Sequence, residues 1–107
     1  MNAAFILSVA IPLVAPFCDS PVHVVDIPPA RSVEAWGEYT GKILIDPDVP
    51  RHMLRLVALH EAFHCQWAKM PPKKQAIIRK RLYGRPYIYS PDPEEEFAEI
   101  FALSHLR

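Results

Sequence analysis

The sequence predicts a single α+β domain, in which a small antiparallel sheet packs on one long helix and is followed by a basic helix and a glutamate-bearing C-terminal helix. Three observations carry this prediction. The chain has 107 residues, enough for one hydrophobic core and too few for two. Its twelve prolines divide it into short elements, because a proline inside a helix or a central strand removes a backbone hydrogen bond. Between two of these breaks, Arg51 to Lys69 runs without proline or glycine. Along it Met53, Leu56, Val57, His60, Phe63, His64 and Trp67 recur at three- and four-residue steps, the spacing of one buried helical face.

The elements follow in order. The first seventeen residues, MNAAFILSVAIPLVAPF, are apolar. No Lys or Arg precedes the run, Pro12 and Pro16 interrupt it, and Leu13 and Ala15 followed by Pro16 make a poor signal cleavage site. The run is also shorter than the ~20 apolar residues of a membrane helix. It is expected to form a core strand or helix, with a secretory signal as the competing reading and an internal, reducing, cytoplasmic location as the consequence. Val22 to Ile27 is β-branched and bounded by prolines, hence a strand, and Pro28 to Ser32 is a loop. Glu34 to Asp46 reads as one or two strands with Ile43, Leu44 and Ile45 at the apolar end. Asp48 is expected to cap the long helix, with Pro50 where its missing donor is harmless. Pro71 and Pro72 end that helix, and Lys73 to Leu82 is a basic one stopped by Gly84 and Pro86. Tyr83 to Tyr89 connects to a last helix, Glu94 to Leu106, whose first turn is acidic and so complements the helix dipole.

Composition excludes several classes. Half of the residues are hydrophobic and 22% charged, far from the signature of disorder. Twelve basic and twelve acidic residues cancel, which leaves no overall positive field for nucleic acid or an anionic membrane, and neither partner is expected. The basic stretch Lys69, Lys73, Lys74, Arg79, Lys80, Arg81 and Arg85 reads as a solvated face balancing the acidic terminal helix. Cys18 and Cys65 lack the spacing of a zinc ribbon or a redox motif and are expected as two free, buried thiols. Trp36 and Trp67 are expected in the core.

The segment that carries chemistry is His60-Glu61-Ala62-Phe63-His64, an H-E-x-x-H pattern inside the long helix. Histidines four apart project from one face, so both imidazoles reach one cation, while Glu61 is rotated by about 100 degrees and lies beside it. A zinc ion with three protein ligands keeps one position for water and lowers that water's pKa towards about 7, and a neighbouring carboxylate such as Glu61 can then take the proton. The pattern H-E-x-x-H-x-x-G-x-x-H is excluded, since Trp67 and Met70 occupy its glycine and third-histidine positions. A carboxylate from a later helix is the other common third ligand. Glu95 and Glu99 share one face of the terminal helix, so one can ligate while the other orients a ligand histidine. His105 is the reserve for a three-histidine site, and His23 and His52 read as ordinary residues rather than ligands.

HEAFH followed, thirty residues after His64, by EEFAEIFA resembles the small gluzincin zinc metallopeptidases, most closely the catalytic core of the anthrax lethal factor-like group. The resemblance covers about residues 56 to 103. It implies Glu95 as third zinc ligand, Glu99 as the outer partner of a ligand histidine, Glu61 as general base and a peptide or protein as substrate. Glu96 stands where that group has an aromatic residue, which leaves Glu96 as a competitor for the ligand role. The position where the group has an oxyanion-stabilising tyrosine is Ile88 here, flanked by Tyr87 and Tyr89, so the resemblance implies one of these two. It also implies a substrate-pairing edge strand, for which Gly41 to Asp46 is the candidate. The competing reading is a zinc-stabilised binding or regulatory module without turnover.

Overall fold

Helix α1 (Ala3–Val14) opens the chain, capped by Asn2, whose side chain accepts from the Phe5 N–H at 2.8 Å. The computed structural model describes residues 1–27, 36–83 and 93–106. Within these residues the chain forms three strands, β1 (Val22–Val24), β2 (Gly37–Tyr39) and β3 (Ile43–Ile45). A 3-10 turn (Arg51–Met53) leads into α2 (Leu54–Lys69), and α3 (Pro72–Tyr83) and α4 (Pro93–His105) follow. The class is α+β. The apolar start takes the helical form of the two expected, and the helix runs through Pro12 instead of breaking there. Pro12 lacks the N–H of one helical bond, but Ile6, Ala10 and Val14 form a fully buried stripe at four-residue steps, and packing of that stripe holds the helix together. Among the described residues no helix is long and apolar enough to cross a membrane.

The sheet is mixed rather than antiparallel. Its order is β1-β3-β2, with β1 parallel to β3 (Val22 opposite Ile43) and β2 antiparallel to β3 (Tyr39 opposite Ile43). Gly41, at φ 85°, makes the β2–β3 turn in a conformation that favours glycine. Alternation along a strand reports which face is buried and not the direction of its neighbour, so the parallel pairing had no local signature. The segment Gly41 to Asp46, expected at an edge, contributes the central strand instead, with Ile43 and Ile45 wholly buried. The expected Asp48 cap is not made: Pro50 is the N-cap of the 3-10 turn and Met53 that of α2, neither with a side-chain cap hydrogen bond. Asp48 is exposed, and it is Asp46 that organises the turn, accepting from the Asp48 N–H at 2.8 Å and from the Ile27 N–H at 2.9 Å.

Helix α2 is covered on two sides. Its Leu54, Val57, Ala58, Ala62 and Cys65 pack with α1 and β3 in the main core. Its Phe63 and Trp67 meet Ala98, Phe97 and Phe101 of α4 and Ile78 of α3 in a second cluster. Ala98 and Ala102 are fully buried, and their small size lets α4 approach α2 closely. Helix α3 is exposed along most of its length, as expected for a solvated basic face. Arg79 lies 5.2 Å from the Trp67 ring centroid, and Lys69 pairs with Asp19. Arg85 lies outside the described residues.

Cys18 and Cys65 are joined in a disulfide, which overturns the expectation of free thiols. Their separation of 47 residues carried no spacing signature, and the fold brings the end of α1 against α2. Disulfides persist in oxidising compartments, which removes the ground for expecting a reducing one. Phe17, the preceding residue, meets Phe101 edge-on at 5.0 Å, so one short segment ties α1 to both α2 and α4. In the chain-entropy account, a loop of this length stabilises the fold by about 4 kcal/mol. Denaturant unfolding of the Cys18→Ala/Cys65→Ala protein is expected to show a loss of that order, and an unchanged midpoint would mean the bond adds nothing to the fold.

Candidate metal centre

The site forms where α2 faces the first two turns of α4. The two alanines that seat α4 on α2 leave Glu95 and Glu99, one turn apart, facing His60 and His64, which are also one turn apart. Glu95 lies between the two rings. Its Oε2 is 3.0 Å from His60 Nε2 and its Oε1 is 2.8 Å from His64 Nε2. Among the described residues, His60, His64 and Glu95 form a group whose candidate ligand atoms all lie within 4.8 Å of one another. The other ring nitrogens are held from behind. His60 Nδ1 is 3.2 Å from Glu99 Oε2, and His64 Nδ1 donates to Glu94 Oε2. Both Nε2 atoms are thus turned inward, as a cation taking two imidazoles and one carboxylate needs.

Glu96 also lines the cleft but is not part of this group. Glu94 was not singled out from the sequence. Its signal was the acidic first turn, which the helix dipole already explained. His105 bonds the Phe101 carbonyl of its own helix at 2.9 Å, away from the group, and His23 and His52 are exposed. Tyr87, Ile88 and Tyr89 lie outside the described residues. The strand nearest the site is β2, whose residues line the cleft, and it is an edge strand, in place of the Gly41 to Asp46 segment.

Glu61 is 7% exposed and lines the same cleft, of about 750 Å³, with Trp36, Tyr39, Met53 and Leu56. Its burial follows from Gly37. A β-carbon there would lie 2.6 Å from Val57 Cγ1 and 2.9 Å from Glu61 Cγ, so β2 closes over the carboxylate because this residue has no side chain. Burial pushes the Glu61 carboxyl up to about 7, against the pull of the His60 and His64 charges and helped by Glu95 and Glu38. For His64, burial opposes the charged form, but hydrogen bonds to Glu95 and Glu94 and the nearby Glu61 outweigh it and raise the pKa to about 9. The same contest at His60, with Glu95 and Glu61 prevailing over burial, also ends in a raised value. Glu95 is held well below the usual carboxylate range by its hydrogen bonds to His60 and His64.

Comparison with protein-family models, with curated proteins and with solved structures found no match to this chain. The site therefore rests on its own geometry.

Two outcomes follow from this arrangement. Glu61 ionises at 4.5 ordinarily and near 7 in the fold, and His64 at 6.5 ordinarily and near 9 in the fold. In both intervals the folded protein holds the proton that the unfolded chain has lost, so stability falls as pH rises. The lowered Glu95 acts in the opposite sense, and its contribution disappears as pH falls below the ordinary carboxylate value. Thermal unfolding of the metal-free protein is expected to peak near pH 5 and decline towards pH 9, and a rising profile over that range would contradict the burial of these groups. Gly37→Ala must displace Val57 or Glu61, an overpacking cost of about 1–3 kcal/mol, read as a lowered denaturation midpoint.

Proposed function

We propose that this chain is a zinc-dependent metallopeptidase that hydrolyses peptide bonds, with His60, His64 and Glu95 holding the ion and Glu61 as general base. The observation that carries the reading is the convergence of two Nε2 atoms and one carboxylate beside a separate buried glutamate that belongs to a different helical face. The donor set suits zinc, which takes imidazole and carboxylate ligands, and three protein ligands leave a fourth position open. When bound, zinc supplies a water acidic enough to be deprotonated near neutral pH and a Lewis acid for the scissile carbonyl. Glu61 takes the proton of the attacking water on a carboxylate oxygen and passes it to the leaving amine nitrogen. A carboxylate beside the open metal position is placed to serve as base first and acid second. Glu99 and Glu94 hold the ligand rings from their Nδ1 sides.

The peptide or protein substrate has the edge of β2 and the cleft walls of Trp36, Tyr39, Met53 and Leu56 to lie against. Tyr87 or Tyr89 is the proposed oxyanion partner, on the strength of the family resemblance alone. The Cys18–Cys65 bond favours an oxidising compartment over the cytoplasm as the working location. A zinc-stabilised module without turnover is the competing reading. Structural zinc sites are closed by four protein ligands, and they have no use for a buried carboxylate beside the ion, so the three ligands found among the described residues, with Glu61, favour catalysis.

The test is a pair of variants read for metal and for turnover. Glu61→Gln is expected to keep one zinc per chain and lose peptide hydrolysis by several orders of magnitude. Glu95→Ala is expected to lose the zinc while Glu96→Ala keeps it. Full hydrolysis in Glu61→Gln would remove that residue from the mechanism. A wild-type protein that binds zinc but cleaves nothing in a broad peptide library would favour the non-catalytic module.

A further inference from the structure

The two histidines are not held equally, and the difference lies in a residue to which the family resemblance assigns no role. His60 Nδ1 faces Glu99, as the resemblance implies, but His64 Nδ1 donates to Glu94, the residue immediately before the proposed ligand. Neighbouring residues of a helix project about 100 degrees apart, so Glu94 and Glu95 reach the same imidazole only by gripping it from its two nitrogens. The His64 ring lies in that grip, with Glu95 Oε1 2.8 Å from Nε2.

We propose that Glu94 is a positioning residue for the metal centre, fixing the His64 ring so that Nε2 faces the ion, and that it contributes more to metal affinity than Glu99 does. The inference rests on the metal-binding half of the function proposed above. An imidazole presents one nitrogen to a metal according to the partner held by the other, and an anionic partner makes the ring a stronger donor. The strength of that effect depends on burial, since a charge-assisted hydrogen bond is stronger and less screened where water is scarce. The His64–Glu94 pair is the more buried on both sides, with side chains 11% and 30% exposed against 19% and 49% for His60 and Glu99. Both glutamates carry the same charge, so burial decides between them.

The experiment measures zinc affinity of the full chain by competition with a chromophoric chelator, and the visible absorption of the cobalt(II)-loaded protein. The variants are Glu94→Gln, Glu94→Asp, Glu99→Gln and Glu96→Gln. Glu94→Gln is expected to bind zinc about 10–100-fold more weakly, with a smaller loss in Glu99→Gln. At saturating cobalt its absorption bands should shift, because His64 becomes a weaker donor, whereas Glu96→Gln, in the same turn of α4, should leave the bands in place. Glu94→Asp keeps the charge and should recover part of the affinity. Glu96→Gln removes the same charge from the same first turn of α4, so it controls for the helix dipole and should bind as wild type does. The proposal is overturned if Glu94→Gln binds within roughly twofold of wild type, if Glu99→Gln loses more, or if Asp recovers nothing. Wild-type protein that takes up neither metal would overturn the metal centre itself, an outcome distinct from a wild type that binds and a Glu94 variant that binds equally well.

Discussion

The contact between the histidines of α2 and the glutamates of α4 is the interaction on which the rest of the structure depends. Glu95 lies between His60 and His64, while Glu99 and Glu94 take the far nitrogens, so each ring is held by two carboxylates. Such a lattice works only if the two helices are held close and in register. Ala98 and Ala102 permit the approach, and Phe63 against Phe97 and Phe101 sets the lateral position. The polar contacts are directional and the apolar ones are not, so the aromatic cluster supplies proximity and the carboxylates supply geometry.

Keeping charged groups at this depth has a cost that the neighbouring elements offset. Glu61 sits under β2, where desolvation disfavours its ionised form and the two histidines favour it. Gly37 is what allows the strand to close there, and the main core of α1 and β3 keeps α2 from moving away. The disulfide from Cys18 reaches α2 one residue beyond His64, and Phe17 beside it rests on α4. One segment near the start of the chain therefore braces both helices of the site.

Much of the site was legible because its spacing is mechanical. Four-residue steps put His60 with His64 and Glu95 with Glu99 on common faces of two helices that proline and acidic turns had already delimited, and in the structure these faces meet. Glu94 escaped notice because three consecutive glutamates at a helix start are explained by the dipole alone. The parallel pairing of β1 with β3, the central place of Ile43–Ile45 and the Cys18–Cys65 bond were hidden for a different reason. They are contacts between segments far apart in the chain, and neither periodicity nor turn chemistry encodes the partner of a strand or a cysteine. The helical state of residues 3 to 14 turned on burial of Ile6, Ala10 and Val14, which outweighed the local penalty of Pro12.

The most direct test of the central claim is X-ray absorption at the zinc edge of protein loaded with one equivalent of the metal. The account expects a shell of nitrogen and oxygen at about 2.0–2.1 Å with outer-shell scattering from two imidazoles and no sulfur. A sulfur shell near 2.3 Å, or a single imidazole, would place the metal elsewhere and contradict the His60, His64 and Glu95 centre.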